Sequence, residues 1–260
     1  MNIKGIDFSN GSHIMAIVNL TPDSFFSGSR ATADNVFNVI EKAIEDGAEM
    51  IDLGAMSTRP NHIVISAEEE IKRLKPLGEI VKRFNVPISV DTDKPEVAEY
   101  ALNCGADMIN DVWGLMHEGM ARTVAAHDAA VCIMHNQNGT EYRDLFGDID
   151  KFFERQIEVA LKAGISKDKI CLDAGIGFGK TKEQNFEVLN GYERFHKFGY
   201  PLLIGVSRKS MFGGDVSERL KPTLEATELA VRKGINIIRI HDVAENVAAK
   251  ERAIARLDKN

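Results

Sequence analysis

The sequence predicts a single (β/α)8 TIM barrel. Three observations carry that expectation: eight short apolar runs recur along the 260 residues, amphipathic stretches separate them, and each run finishes on a polar side chain. A near-continuous apolar run is the pattern of a strand buried on both faces of a parallel sheet. Eight such units in about 250 residues match the usual size of a closed barrel. An open doubly wound sheet is the structural rival. No Pro/Gly/Ser-rich linker interrupts the series, so residues 1–260 read as one domain, with 1–13 as a short extension before the first strand.

The first strand is IMAIVNL (14–20). In the helix expected over 33–47, Val36, Val39, Ile40, Ala43 and Ile44 form one apolar face and Gly47 supplies the stop. EMIDLGA (49–55) is the second strand, and the helix over 66–84 opens with the capping-box pattern Ser66-Ala67-Glu68-Glu69. After PISVDT (87–92), Pro95-Glu96 suits a first helical turn that Gly105 ends. The remaining strands are DMINDVW (107–113), AVCIMHN (130–136), KICLDAG (169–175), PLLIGVS (201–207) and NIIRIHD (236–242). A faint repeat supports the unit: GAEMID at 47–52, GADMIN at 105–110 and GINIIR at 234–239.

Composition limits the partners. A net charge of -7 argues against broad nucleic-acid or anionic-membrane binding and leaves room for a local basic site. Cys104, Cys132 and Cys171 lie far apart with no C-x-x-C pair, and read as buried hydrophobes in a reducing compartment. The N-terminus has no apolar core of the signal-peptide kind and no run is long enough to span a membrane, so a cytoplasmic location is expected.

In a barrel the carboxyl ends of all strands converge on one mouth, where catalytic groups sit. Here they carry Asn19, Asp52, Asp91, Asn110 and Asp111, His135, Asp173, Ser207-Arg208-Lys209, and Arg239, His241 and Asp242. Any one of these can be a helix cap or a loop anchor; all eight ends being polar is harder to dismiss. The stretch AGIGFGKT (174–181) comes within one residue of a P-loop. It follows the sixth strand rather than the first, and its helix begins only near Lys182, so an ATP site is not expected. Its glycines suit a loop that brings backbone and the ring of Phe178 against a flat ligand.

Two chemistries meet at this mouth. Asp91, Asn110 and Asp173 offer acceptors and an amide to a heterocycle with adjacent N–H groups. Arg59, Lys209, Arg239 and His241 form a cationic set suited to phosphate oxygens, with salt bridges closing the rim as the alternative reading.

Almost the whole chain resembles dihydropteroate synthase, a family of pterin-binding barrels. The resemblance rests on NLTPDSF (19–25), DLGAMSTRP (52–60), ISVDTDKPEV (88–97), MINDV (108–112), CIMH (132–135), LDAGIGFGK (172–180), GVSRKSMFG (205–213) and RIHDV (239–243). It implies the condensation of 6-hydroxymethyl-7,8-dihydropterin pyrophosphate with para-aminobenzoate, releasing pyrophosphate with magnesium, in a homodimer. By the same resemblance Asp91, Asn110, Asp173 and Lys209 hold the pterin. Asn19, Arg59, Arg239 and His241 take the pyrophosphate, with Asn19 close to the metal. Thr58, Pro60, Phe178 and Ser210 line the aminobenzoate side. Lys209, Arg239, His241 and Asp91 are the groups expected to carry catalysis.

The chain departs from the family pattern at named positions. Met56 stands where Glu or Gln precedes S-T-R-P, Ala174 replaces the proline of D-P-G, and Ser27 and Ser29 replace an acid and a glycine of the first loop. The fifth loop is stretched over 136–139. These changes fall mostly on loops that should close over the second substrate. A pterin-binding paralogue without turnover, methyl transfer from methyltetrahydrofolate to a corrinoid protein, and a phosphosugar barrel are the competing functions.

Overall fold

Strands that are apolar on both faces must be covered on both, and a barrel does this with its own interior and a helical coat. The computed structural model describes residues 1–20, 35–56 and 65–258. Asn2–Ile3 (β1) and Ile6–Asp7 (β2) form a small antiparallel hairpin. The barrel strands follow: His13–Asn19 (β3), Met50–Gly54 (β4), Ile88–Asp91 (β5), Met108–Asp111 (β6), Ala130–Met134 (β7), Ile170–Asp173 (β8), Leu203–Gly205 (β9) and Ile237–Ile240 (β10). All pair in parallel in the order β8-β7-β6-β5-β4-β3-β10-β9, and a parallel bridge from Leu172 to Leu202 closes the ring. The closed ring excludes the open doubly wound sheet. Except for β3, each strand is shorter than its apolar run, and Asn19, Asp91, Asn110, Asp111 and Asp173 remain in the ladder at the strand ends.

The helices among the described residues are Val36–Glu45 (α1), Ala67–Arg73 (α2), Leu77–Arg83 (α3), Pro95–Asn103 (α4), Met120–Ala126 (α5), Leu145–Ala163 (α6), Lys182–Asn190 (α7), Leu220–Arg232 (α8) and Val243–Leu257 (α9). Ser66 caps α2 by accepting the Glu69 N–H, and Pro95 sits in the first turn of α4. The single helix expected over 66–84 is two helices. Pro76 has no N–H to donate and disfavours helical backbone at Lys75, so the chain breaks there and restarts. The repeat glycines Gly47, Gly105 and Gly234 have φ of +101°, +95° and +70°, the left-handed stop that L side chains avoid.

Two apolar layers result. One lies between the strands and the helices. The other fills the lower barrel interior, where Met15, Met50, Met108, Cys132, Cys171, Leu203 and Ile237 pack against Met1, Ile3 and Phe8 of the hairpin segment. The hairpin thus plugs the end opposite the mouth. Cys132 and Cys171 are register partners on β7 and β8, fully buried. Cys104, expected to be buried, is only half-buried because it caps the C-terminus of α4.

Candidate active site

Strand register brings the first polar ends together. Asn19 pairs with Gly54, Gly54 with Asp91, and Asp91 with Asn110, while Asp52 lies two residues below Gly54 on the same face. Arg239 reaches in from β10. Its Nε donates to Asp52 Oδ2 at 2.6 Å and an Nη donates to Asp91 Oδ2 at 2.7 Å, and Asn110 Nδ2 donates to the same Asp52 oxygen at 3.3 Å. One oxygen of each remains over: Asp52 Oδ1, Asp91 Oδ1 and Asn110 Oδ1 are buried with no hydrogen-bond partner. Three orphaned acceptors at a mouth are a cost that a donor-bearing ligand removes.

Burial pushes the Asp91 carboxyl up to about 7, opposed by Arg239 and reinforced by Asp52, Glu70 and Asp93. Burial also works against the Arg239 charge, but Asp52 and Asp91 outweigh it and hold the guanidinium above its ordinary value.

A second group forms across β8 and β9. Asp173 Oδ1 accepts the Gly175 N–H at 2.7 Å and lies 2.8 Å from the Tyr192 hydroxyl, which also meets the Leu203 carbonyl. The Ala174 N–H donates to that hydroxyl at 2.8 Å, a bond that proline at 174 has no hydrogen to make. Burial raises the Asp173 carboxyl while Gly175, Tyr192, Lys209 and Lys180 oppose the shift. Lys209 Nζ stands 4.5 Å from the centre of the Phe178 ring, a cation–π contact. Gly177, with φ +86°, lies against the Lys209 stem, where a Cβ would come within 3.1 Å of its Cδ.

The last two strand ends are clamped together. His241 Nδ1 is 2.8 Å from Ser207 Oγ, and the His241 N–H donates to the same oxygen at 3.0 Å. Arg208 forks onto Asp242, its Nε and an Nη each 2.8 Å from one carboxylate oxygen. Arg208 holds this fork with φ +50°, so Lys209 follows a strained residue that the Asp242 pair fixes.

Asp91 and Arg239 therefore meet directly and Asn110 joins them through Asp52, Asp173, Phe178 and Lys209 form the neighbouring group, and Ser207 holds His241. Ser210 is exposed and starts the 3-10 turn Ser210–Phe212. Thr58, Arg59, Pro60, Ser27 and Ser29 lie outside the described residues. Arg239 does not stand apart from the acceptors as the sequence division into two sides implies. Buried carboxylates need a countercharge, and Arg239 supplies it. Met56 is buried with its sulfur 3.2 Å from Lys94 Nζ, and that ammonium pairs with buried Glu70 at 2.7 Å. Just after the stretched segment, Tyr142 donates to the Gly179 carbonyl of the glycine loop at 2.8 Å, and Gln184 of α7 donates to the Thr140 carbonyl at 3.0 Å.

Asp52 was legible only as one more strand end, and Tyr192 gave no signal, since it lies in the 3-10 segment Tyr192–Phe198 far from any strand end. For magnesium the donor set is spare. Among the described residues no three His, Cys, Asp or Glu side chains gather as ligands. Asn19 Oδ1 lies 3.3 Å from where a Cβ on Gly54 would sit, so the glycine lets that amide oxygen pack closely against β4 at the mouth. That fits an ion bound through one protein oxygen, substrate phosphates and water, the usual habit of magnesium.

Residues 15–241 match the family model described as pterin binding enzyme. The dihydropteroate synthase of Clostridium beijerinckii is 42% identical over 259 residues, covering 96% of each chain. A dihydropteroate synthase structure from Clostridium difficile, determined in the presence of pteroic acid, superposes with a TM-score of 0.92 at 42% identity, covering 96% of this chain and 98% of that one. The Xanthomonas albilineans dihydropteroate synthase with 4-aminobenzoic acid superposes with a TM-score of 0.90 at 35% identity, covering 96% and 94%.

Proposed function

Because the chain belongs to the pterin-binding enzyme family, and within it to the dihydropteroate synthases, we infer that it condenses 6-hydroxymethyl-7,8-dihydropterin pyrophosphate with para-aminobenzoate to give 7,8-dihydropteroate and pyrophosphate. It is a transferase. The observation that carries the reading is the trio of buried, partnerless acceptors, Asp52 Oδ1, Asp91 Oδ1 and Asn110 Oδ1, around the Arg239 guanidinium. A pterin ring presents adjacent N–H donors that such acceptors take.

On this reading Asp91, Asn110, Asp173 and Lys209 hold the pterin. Arg239 and His241, with Arg59 and Asn19, meet the pyrophosphate. Cleavage of the carbon–oxygen bond beside the ring puts negative charge on the leaving pyrophosphate, and fixed cations in a dry site stabilise that charge. A magnesium ion bound there supplies further charge neutralisation. The aminobenzoate amine, held by Phe178, Ser210, Thr58 and Pro60, then needs only to be near the methylene carbon. No covalent protein nucleophile is required. Cys132, buried beside Cys171, is pushed well above its ordinary pKa by burial and that neighbour.

We extend the reading to a homodimer in the cytoplasm. Exposed Ile254 and Leu257 on α9 are surface that an association would cover, and the free thiols of Cys104, Cys132 and Cys171 suit a reducing compartment. No described helix is long and apolar enough to cross a membrane.

The test is to incubate the protein with dihydropterin pyrophosphate and magnesium, with and without para-aminobenzoate, and to measure dihydropteroate and pyrophosphate. Dihydropteroate formed in step with pyrophosphate upholds the reading. Pterin binding with neither product overturns it.

A further inference from the structure

The lysine of AGIGFGKT is not a phosphate ligand, and the reaction above gives it no part. Its ammonium is nonetheless closely enclosed, with Lys180 only 8% exposed. Three acceptors surround Nζ: the Gly175 carbonyl at 3.0 Å, the Phe178 carbonyl at 3.1 Å and His135 Nδ1 at 3.1 Å. Burial draws the Lys180 pKa down to about 7; in its ammonium form it has three N–H donors, and each finds one acceptor. His135 then accepts through Nδ1 and carries its proton on Nε2. Burial, with the Lys180 charge beside it, keeps that ring neutral by drawing its pKa down to about 3.

The loop is wrapped around its own lysine. Gly175, Gly177 and Gly179 take φ of +67°, +86° and +53°, turns that bring the carbonyls at 175 and 178 onto one ammonium. Other contacts hold it from outside. The Gly177 N–H donates to Asn185 Oδ1 at 2.6 Å, and a Cβ on Gly179 would come within 2.6 Å of the Gln137 carbonyl. What this arrangement presents to the mouth is the half-buried ring of Phe178, set over Lys209. Asp173 keeps its bond to Tyr192, although the Gly175 N–H belongs to the same loop and the Lys180 charge reaches its carboxyl; Asp91 and Asn110 stand on other strands.

We propose that Lys180 is a positioning residue for the aromatic amine: by tying the carbonyls of Gly175 and Phe178 to His135, it fixes the Phe178 ring against which the amine's ring rests. The inference rests on the synthase reading, in which Phe178 lines the aminobenzoate side. Lys180 touches neither substrate. Its removal frees the ring to move, and the pterin floor keeps its own hydrogen bonds.

The test compares wild type with Lys180→Met and Lys180→Gln, the second keeping two donors. For each, KM for para-aminobenzoate, kcat, and the Kd of a phosphate-free dihydropterin are measured, with thermal melting as the check on folding. Lys180→Met is expected to raise the para-aminobenzoate KM by about tenfold, the equilibrium cost of one lost buried hydrogen bond. Its pterin Kd should stay within about twofold of wild type, and Lys180→Gln should fall between the two. An unchanged amine KM in a folded variant overturns the proposal, as does a pterin Kd that weakens in parallel. Should Lys180→Met not fold, the same split is read from Lys180→Gln; failure of both to fold also overturns it, since Lys180 would then serve the core. Dihydropteroate production by the wild type is the control: its absence sinks the synthase reading, whereas a normal wild type with an unaltered variant KM sinks this inference alone.

Discussion

Arg239 on the last strand donates to Asp52 on the second barrel strand at 2.6 Å, across 187 residues of chain. The same guanidinium reaches Asp91, so one cation holds two buried carboxylates. Arg239→Ala leaves both uncompensated and should destabilise the protein by about 3 kcal/mol, read by urea unfolding. On the proposed reading turnover should fall by roughly 100-fold or more, because a charge assigned to the leaving group is lost. Arg239→Lys should recover only part of either loss, since an ammonium cannot fork between two carboxylates. Wild-type stability in Arg239→Ala would show that the pair contributes nothing to the fold.

Asp91 ties stability to pH. Its pKa is about 7 in the folded chain, against about 3.9 unfolded. The folded state therefore holds the proton more tightly, and the stabilisation is full below about pH 4 and lost as pH rises through about 7. Thermal melts of wild type and Asp91→Asn across pH 4 to 8 test this. The wild type should lose stability relative to the variant over that range, and parallel profiles would contradict it. Pterin affinity should move the other way, since only the ionised carboxylate is purely an acceptor.

Tyr192→Phe removes the hydroxyl that joins Asp173, Ala174 and Leu203. The Ala174 N–H then loses its acceptor and Asp173 loses a donor. A stability loss of about 1–2 kcal/mol is expected. Pterin Kd should weaken by about fivefold, measured by titration calorimetry; an unchanged Kd would mean that Gly175 alone orients the carboxylate.

Gly177→Ala places a Cβ 3.1 Å from Lys209 Cδ and 3.2 Å from its Nζ, at φ +86°. The left-handed backbone should cost about 1 kcal/mol. The lysine stem can yield, so pterin affinity should suffer along with stability. Gly199→Ala is the control, because it shares the positive φ of +71° but would meet no atom within 4 Å. Equal pterin Kd values in the two variants would exclude steric displacement of Lys209.

Asp242→Ala strips Arg208 of its fork, in a pair whose side chains are only 9% and 7% exposed. The guanidinium keeps the Val216 carbonyl at 2.7 Å but loses its countercharge, which should lower stability by about 3 kcal/mol. Because Lys209 and His241 are its chain neighbours, kcat/KM should fall by about tenfold or more even where the protein remains folded. Asp242→Asn, which keeps one acceptor, should lie between; activity equal to wild type in Asp242→Ala would free both loops from this clamp.

The strands were legible because each is apolar on both faces, and the polar residue that ends each run announced the mouth. Asp91, Asn110 and Asp173 were found that way. Arg239 was found too, though its pairing with Asp52 was not, because a contact spanning the whole chain leaves no local pattern. Tyr192 was invisible for a different reason: an aromatic residue in a short turn reads as core, and only the fold turns its hydroxyl onto Asp173. Lys180 sits in a near-P-loop whose place after the sixth strand already argues against an ATP site, but its own role left no local signal. Nothing in the spacing says that the lysine points back into its loop. Pro76 did carry the signal that splits the helix over 66–84, through its missing N–H and its effect on Lys75.

The ring of strands has one thin seam. β8 and the β9 side meet through the single bridge between Leu172 and Leu202, with the Leu172 N–H on the Pro201 carbonyl and the Leu202 N–H taken by the Asn236 side chain. Asp173 stands on one lip of that seam and Lys209 beyond the other. A molecule gripped by both acts as a suture, so an occupied mouth and a zipped barrel are two views of one equilibrium. Amide exchange at Leu172, whose N–H meets the Pro201 carbonyl, is expected to slow when a ligand fills the mouth.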